Sequence, residues 1–220
     1  METILNEIEV RVLGCLIEKE ITTPDYYPLT LNALTNACNQ KSNRNPVVSY
    51  DETTVVRGLD DLSEKGLAKK VFAVGSRVQK YQHAFLDKFD LGRREVAVLC
   101  ELMVRGPQTP GELRTHAERM YEFKGMEEVD EVLQGLMEHE GPMVIKLPRQ
   151  AGRKEQRYMH LFSGKPETKG IDQAAPLDPA ALQTNGENDR IAKLEEELAM
   201  LRKEFDEMKQ AFNDFKSQFK

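Results

Sequence analysis

The chain is poor in the residues from which covalent and metal-bound sites are usually built. Of its 220 residues only three are cysteine and four are histidine. Cys15, Cys38 and Cys100 lie far apart without a C-x-x-C pair, which excludes a disulfide framework and suits reduced thiols in the cytosol. All three sit among apolar residues at helical spacing and read as core atoms. No Gly-rich phosphate loop, nucleophile elbow or metal-spaced His/Cys cluster is present, so a non-enzymatic protein without metal or cofactor is expected. Long apolar runs are also missing. The longest, Val96 to Val104, is interrupted by Glu101 and is too short to span a bilayer. The first seven residues have neither a basic segment nor an apolar core, so they are not read as a signal peptide, and a cytoplasmic location is expected.

A surplus of positive charge is absent as well. The formal net charge is -6, and residues 164–220 carry 9 Lys and Arg against 12 Asp and Glu. That tail accounts for only half of the imbalance, so the acidity is shared along the chain and gives no bulk attraction for nucleic acid.

What is there is a repeat. Glu9-Val10-Arg11-Val12-Leu13 recurs as Glu95-Val96-Ala97-Val98-Leu99, and Thr23-Pro24 recurs as Thr109-Pro110, both at an offset of 86. Val55-Val56-Arg57-Gly58-Leu59 then matches Val132-Leu133-Gln134-Gly135-Leu136, and Tyr81-Gln82-His83-Ala84-Phe85 matches Tyr158-Met159-His160-Leu161-Phe162, at an offset of 77. Four matches in one order mark a duplication.

Each copy reads as three helices and a hairpin. In the first, Asn6 and Glu9 form a capping box ahead of a stripe of Val10, Leu13, Leu16 and Ile17. Leu31, Leu34 and Cys38 give a second helix with Pro28 in its first turn. Ser49 and Glu52 read as the capping box of a third helix, which carries Val55, Val56, Leu59 and Leu62 and which Gly66 stops. Leu67–Val74 and Val78–Phe85 then flank a Gly turn as a hairpin. The second copy places helices at Arg93–Arg105, after the Thr109/Glu112 capping box, and at Glu127–His139, with a hairpin over Met143–Phe162. The expected fold class is therefore mainly α with small β-hairpins: two tandem winged-helix modules over 1–88 and 89–163, with the third helix of each as its reading head.

The run from Thr22 through Tyr26-Tyr27-Pro28-Leu29-Thr30-Leu31-Asn32-Ala33-Leu34 to Ala37-Cys38-Asn39-Gln40-Lys41-Ser42-Asn43-Arg44 resembles the YceH-like family of uncharacterised bacterial proteins. Leu16-Ile17-Glu18-Lys19-Glu20 fits the same pattern. The resemblance covers roughly residues 5 to 163 and implies tandem winged helices, but it brings no activity, ligand or catalytic residue.

The reading heads carry the wrong charge for DNA. Tyr50–Lys65 is net -3 and Met126–Glu140 is net -6 with no Lys or Arg at all, whereas a groove-docking helix brings cations to phosphate. The bland account of those acids is a solvated face with favourable charges in its first turn. Cations gather elsewhere: Lys69, Lys70, Arg77 and Lys80 on the first wing, Lys146, Arg149, Arg153, Lys154 and Arg157 on the second, and Lys41 and Arg44 around the turn before the first reading head. They are candidate phosphate contacts, or they keep exposed hairpin edges soluble. Asn32, Asn36 and Asn39 are a recognition face or a set of internal capping amides. His83 and His160, equivalent in the repeat, read as structural.

Residues 164–188, with Pro166, Pro176 and Pro179, read as a linker. Beyond it Ile191, Leu194, Leu198, Leu201, Phe205, Met208, Phe212, Phe215 and Phe219 alternate spacings of three and four, the seam of a coiled coil over 189–220. Arg190–Glu195, Glu197–Arg202 and Glu204–Lys209 are attractive g-to-e pairs in a parallel homodimer. A helix folding back on the modules is the alternative to this homo-oligomer. Two functions follow: a nucleic-acid-binding regulator that uses its wings, or an assembly adaptor whose acidic third helices, with Glu127, Glu128 and Glu131, face a basic protein.

Overall fold

The computed structural model describes residues 4–72, 78–149 and 155–165. The expected coiled-coil helix with its seam, the linker past Lys165, and Arg77, Arg153 and Lys154 lie outside the described residues. The architecture is mainly helical with two small antiparallel sheets.

The first copy runs α1 (Glu7–Thr22), β1 (Leu29–Thr30), α2 (Leu31–Cys38), α3 (Glu52–Glu64), β2 (Ala68–Phe72) and β3 (Gln79–His83). The short α4 (Phe85–Lys88) leads to the second copy: α5 (Arg93–Arg105), α6 (Pro110–Ala117), α7 (Met126–Glu138), β4 (Val144–Lys146) and β5 (Tyr158–His160). Capping boxes open α1 at Asn6/Glu9 and α6 at Thr109/Glu112, the latter with Pro110 at its first position. A glycine closes α3. Gly66 takes φ +69, and the bonds Leu67 N–H to Leu62 O (2.8 Å) and Gly66 N–H to Ser63 O (3.0 Å) satisfy two trailing carbonyls.

Two expected caps are corrected. Asp51, not Ser49, caps α3 by accepting from Thr54 N–H at 2.8 Å, because its carboxylate lies immediately before the first helical residue. Thr30 caps α2, so Pro28 precedes that helix and does not enter its first turn. A strand invisible to pattern reading is β1, a two-residue piece that pairs Leu29 with Tyr81 and Thr30 with Lys80 along the edge of β3.

The two copies share one hydrophobic cluster, and residues 4–165 fall within one compact unit, Met1–Glu167. Helix α1 is its axis: every residue from Glu9 to Glu18 is buried. One side packs on α2 and α3, the other on α5. Gly14 makes the second contact close, since a Cβ there would stand 2.9 Å from Val104 Cγ1 and 3.0 Å from Met103 Cβ. Equivalent residues of the repeat meet across this seam. The Cys100 thiol donates to Gly14 O at 3.3 Å, and the rings of Phe85 and Phe162 pack edge-on at 5.5 Å. Such self-equivalent contacts are the mark of an approximate two-fold relation between the copies. No helix among the described residues is long and apolar enough to cross a membrane.

Candidate functional site

Helix α7 turns one face inward and the other to water. Val129, Val132, Leu133 and Leu136 are buried, while Met126, Glu127, Asp130, Glu131, Gln134, Gly135 and Glu138 are exposed. The exposed stripe therefore carries four carboxylates and no cation of its own, with Glu131 lying 3.8 Å from Arg94 of α5. Met126 is 39 % exposed and lies between two shallow hollows, one reaching Gly111, Arg114 and Phe123, the other Pro110, Lys146 and Tyr158. Glu128 stands apart from this stripe. It accepts from Lys124 N–H at 2.9 Å and from Tyr121 OH at 2.7 Å. The Lys124 amide first, then the phenol, hold its carboxyl below the usual range. Glu128 fixes the turn into α7, and that job could not be read from its charge alone.

The candidate phosphate contacts are dispersed. Lys69 and Lys70 project from β2, but each meets an acid of its own copy: Lys69 Nζ lies 2.5 Å from Asp87 and Lys70 Nζ 2.7 Å from Asp60. Arg157 donates to Pro107 O and to Glu112, both at 3.0 Å. Lys146 is exposed and stands 5.6 Å from the ring of Tyr158, and Lys41 and Arg149 are exposed, while Lys80 is half-buried. Acids are interleaved with cations: Lys69, Lys70 and Arg157 each meet a carboxylate. Phe72 and Val78, 67 % and 54 % exposed, add an apolar patch to the first hairpin.

Arg44 is not on the surface. Its side chain and that of Glu18 are both fully buried, and the guanidinium engages both carboxylate oxygens, one of them at 2.9 Å, while Nε donates to Ala37 O at 3.1 Å. Burial would push the Glu18 carboxyl up, but the hydrogen bonds and charge of Arg44, with Arg119 and Lys19, hold it below the usual range. Arg119 pairs with Glu18 and also with Glu101, the latter at 2.7 Å. Arg105 Nε stands 3.0 Å from the other oxygen of Glu101, an ion pair whose angles fall short of a hydrogen bond. Two buried carboxylates thus hold three guanidiniums along the seam between the copies. Asn39 is half-buried, and its amide clamps both backbone groups of Tyr50, each at 2.7 Å. Asn32 and Asn36 remain exposed, bonded to each other at 3.1 Å.

The paired histidines have diverged. His83 Nε2 lies 2.6 Å from Glu20, and its backbone N–H donates to Tyr27 OH at 2.7 Å. His160 is buried, and its Nδ1 has no hydrogen-bond partner among the described residues. Burial pushes its pKa down to about 4. The three cysteines are buried free thiols, and among the described residues no trio of His, Cys, Asp or Glu could hold a metal ion.

A duplicated helix-and-hairpin unit, fused across a buried ionic seam and bearing an acidic helix face, defines the class of protein. The family "Protein of unknown function, DUF480" matches residues 5–153, and the chain belongs to that family. It is 56 % identical over 219 residues to a UPF0502 protein of Geobacter metallireducens, covering all of both chains. It is 54 % identical over 203 residues to a UPF0502 protein of Koribacter versatilis, covering 91 % of this chain and 92 % of the other. The resemblance read from the Thr22–Arg44 segment agrees with this membership.

Proposed function

We propose that each copy is a winged-helix module and that the fused pair is a non-enzymatic docking protein, which recognises a basic protein through α7. The order of helices and hairpin, repeated in each copy, supports the winged-helix reading. The observation that carries the choice of partner is the exposed stripe of Glu127, Asp130, Glu131 and Glu138, with no cation among them. Set against a phosphate backbone this face repels; set against Lys and Arg it steers association, and Met126 with its flanking hollows supplies apolar contact. The test is charge reversal of Glu127 and Asp130, which leaves the cap Glu128 intact. A stoichiometric partner captured by the full chain should be lost on E127K/D130K while the melting temperature is kept. Capture that survives the double reversal refutes the assignment.

A nucleic-acid reading through the wings is favoured by one observation, the exposure of Lys41, Lys146 and Arg149. It requires salt-sensitive binding to duplex DNA that weakens when Lys146 and Arg149 are neutralised. Self-association through the C-terminal seam rests on its heptad spacing. Light scattering on the full chain should report a dimer or higher oligomer, and a chain ending before Ile191 should be monomeric.

A further inference from the structure

At the seam between the copies lies a hollow of about 470 Å³ lined by Asn43, Arg105, Thr115, His116, Glu118 and Arg119. We propose that this hollow binds a small tetrahedral oxyanion, a free phosphate or a compact phosphomonoester. It is independent of the α7 face.

The lining is pre-set by buried groups behind it. Glu101, fully buried, holds both Arg105 and Arg119. Arg105 uses Nε on Glu101 and one terminal nitrogen on the Asn43 side-chain oxygen. Asn43 is itself held in the left-handed region at φ 58, with its carbonyl accepting from Arg44 at 2.8 Å. Three guanidiniums share two buried carboxylates here, the surplus positive charge is opposed among the lining residues only by Glu118, which is exposed to solvent screening, and a planar guanidinium fixed in place is the preferred partner of an oxyanion.

His116 is set as well. The buried Gln108 donates its Nε2 to Glu101 O at 3.1 Å, which puts its Oε1 against His116 Nδ1 at 2.6 Å. Nδ1 must then be the donor, and Nε2 is left as the atom that changes protonation. Burial first, then Arg105 and Arg119, disfavour the charged ring, while Glu101 and Glu112 favour it. Glu118, exposed on the rim of the hollow, adds a further negative charge. A bound oxyanion would tip this balance toward imidazolium, so binding takes up a proton near and below the ordinary histidine range.

The hollow suits a small ligand. A duplex presents its phosphates on a convex ridge flanked by others, and Glu118 would repel the neighbours.

Calorimetry of the full chain with inorganic phosphate, in two buffers of different ionisation enthalpy, tests this. Saturable binding is expected, with proton uptake by His116 that grows as pH falls through and below the ordinary histidine range, roughly 6.5. R105Q should weaken it at least about ten-fold, equivalent to about 1.4 kcal/mol. E118Q should tighten it several-fold, and H116Q should remove the histidine's share of the proton exchange, leaving only the phosphate's own ionisation, while retaining binding. Because Arg105 also neutralises Glu101, the E118Q and H116Q results decide the matter if R105Q fails to fold. Absence of saturable binding, binding indifferent to E118Q, or displacement of phosphate by a short duplex at equal phosphate concentration would each overturn the proposal.

Discussion

Arg44 grips Glu18 with both prongs of its guanidinium, and neither side chain has any exposed surface. The pair sits where α1, the turn after α2 and the second copy meet. Removing Glu18 strands Arg44 in a place water cannot reach, at a cost of about 3–5 kcal/mol, whereas removing Arg44 leaves Glu18 still paired with Arg119 and Lys19. E18L should lose about that much stability by urea denaturation, and R44M less. The double variant R44M/E18L should recover most of the E18L loss, because both charges are then gone. Equal loss in the double variant and E18L would mean that the geometry of the turn, and not the charge, is what Arg44 maintains.

How much of this was open to reading from the sequence divides by the kind of signal. The duplication, the stripe of α1, the helix over Arg93–Arg105 and the capping boxes at Asn6 and Thr109 follow from spacing along the chain, and such spacing is what a sequence displays. Arg44 in a polar run of Asn, Gln and Ser looks like a surface residue. Its burial depends on Glu18, twenty-six positions away, and on a second copy closing over it. The cap at Asp51 competed with an equally regular Ser49 pattern, and only the helix start decides between them. β1 is two residues long and exists because β3 offers an edge, which no local pattern announces. The dispersed hairpin cations are the same case: Lys69 and Asp87, eighteen positions apart, become neighbours only in the folded chain. What the α7 stripe would face was legible as charge but not as a role, since Glu128 differs from Glu127 only in what it touches.

His160 makes the fold acid-sensitive. Its folded pKa of about 4 lies below the unfolded reference of about 6.5. The folded state therefore binds fewer protons between those limits, and stability falls as pH drops from 6.5 toward 4. The shift corresponds to about 3 kcal/mol once both limits are passed. In H160F, which cannot ionise, the difference in unfolding free energy between pH 7 and pH 4.5 should shrink by roughly 2 kcal/mol, the part of the shift titrated in that interval. An unchanged pH dependence in H160F would place the acid lability on carboxylates such as Glu18.

The surface pairs of the first hairpin offer a separate test of nucleic-acid binding. Lys69–Asp87 and Lys70–Asp60 are exposed on both sides, so they add little to stability. D60N and D87N should leave the melting temperature nearly unchanged. If this hairpin meets phosphate, freeing these lysines should raise affinity for duplex DNA and steepen its salt dependence. If anisotropy shows no gain, the lysines serve the hairpin alone.

Gly14 and Gly135 are both helical glycines, and substituting each by alanine should move stability in opposite directions. At Gly135, on the exposed face of α7, an added Cβ meets nothing within 4 Å. Alanine there removes backbone freedom from the unfolded chain and should stabilise by about 0.5–1 kcal/mol. At Gly14 the same methyl would press to 2.9 Å against Val104 and 3.0 Å against Met103. Helix propensity favours G14A by the same amount, but forcing α1 and α5 apart costs about 1–3 kcal/mol, and it also lengthens the Cys100 bond to Gly14 O. The contact wins, so G14A should lower the melting temperature while G135A raises it. Thermal unfolding of the two variants side by side checks this, and a stabilising G14A would mean that the copies are not packed as closely at the seam as these distances require.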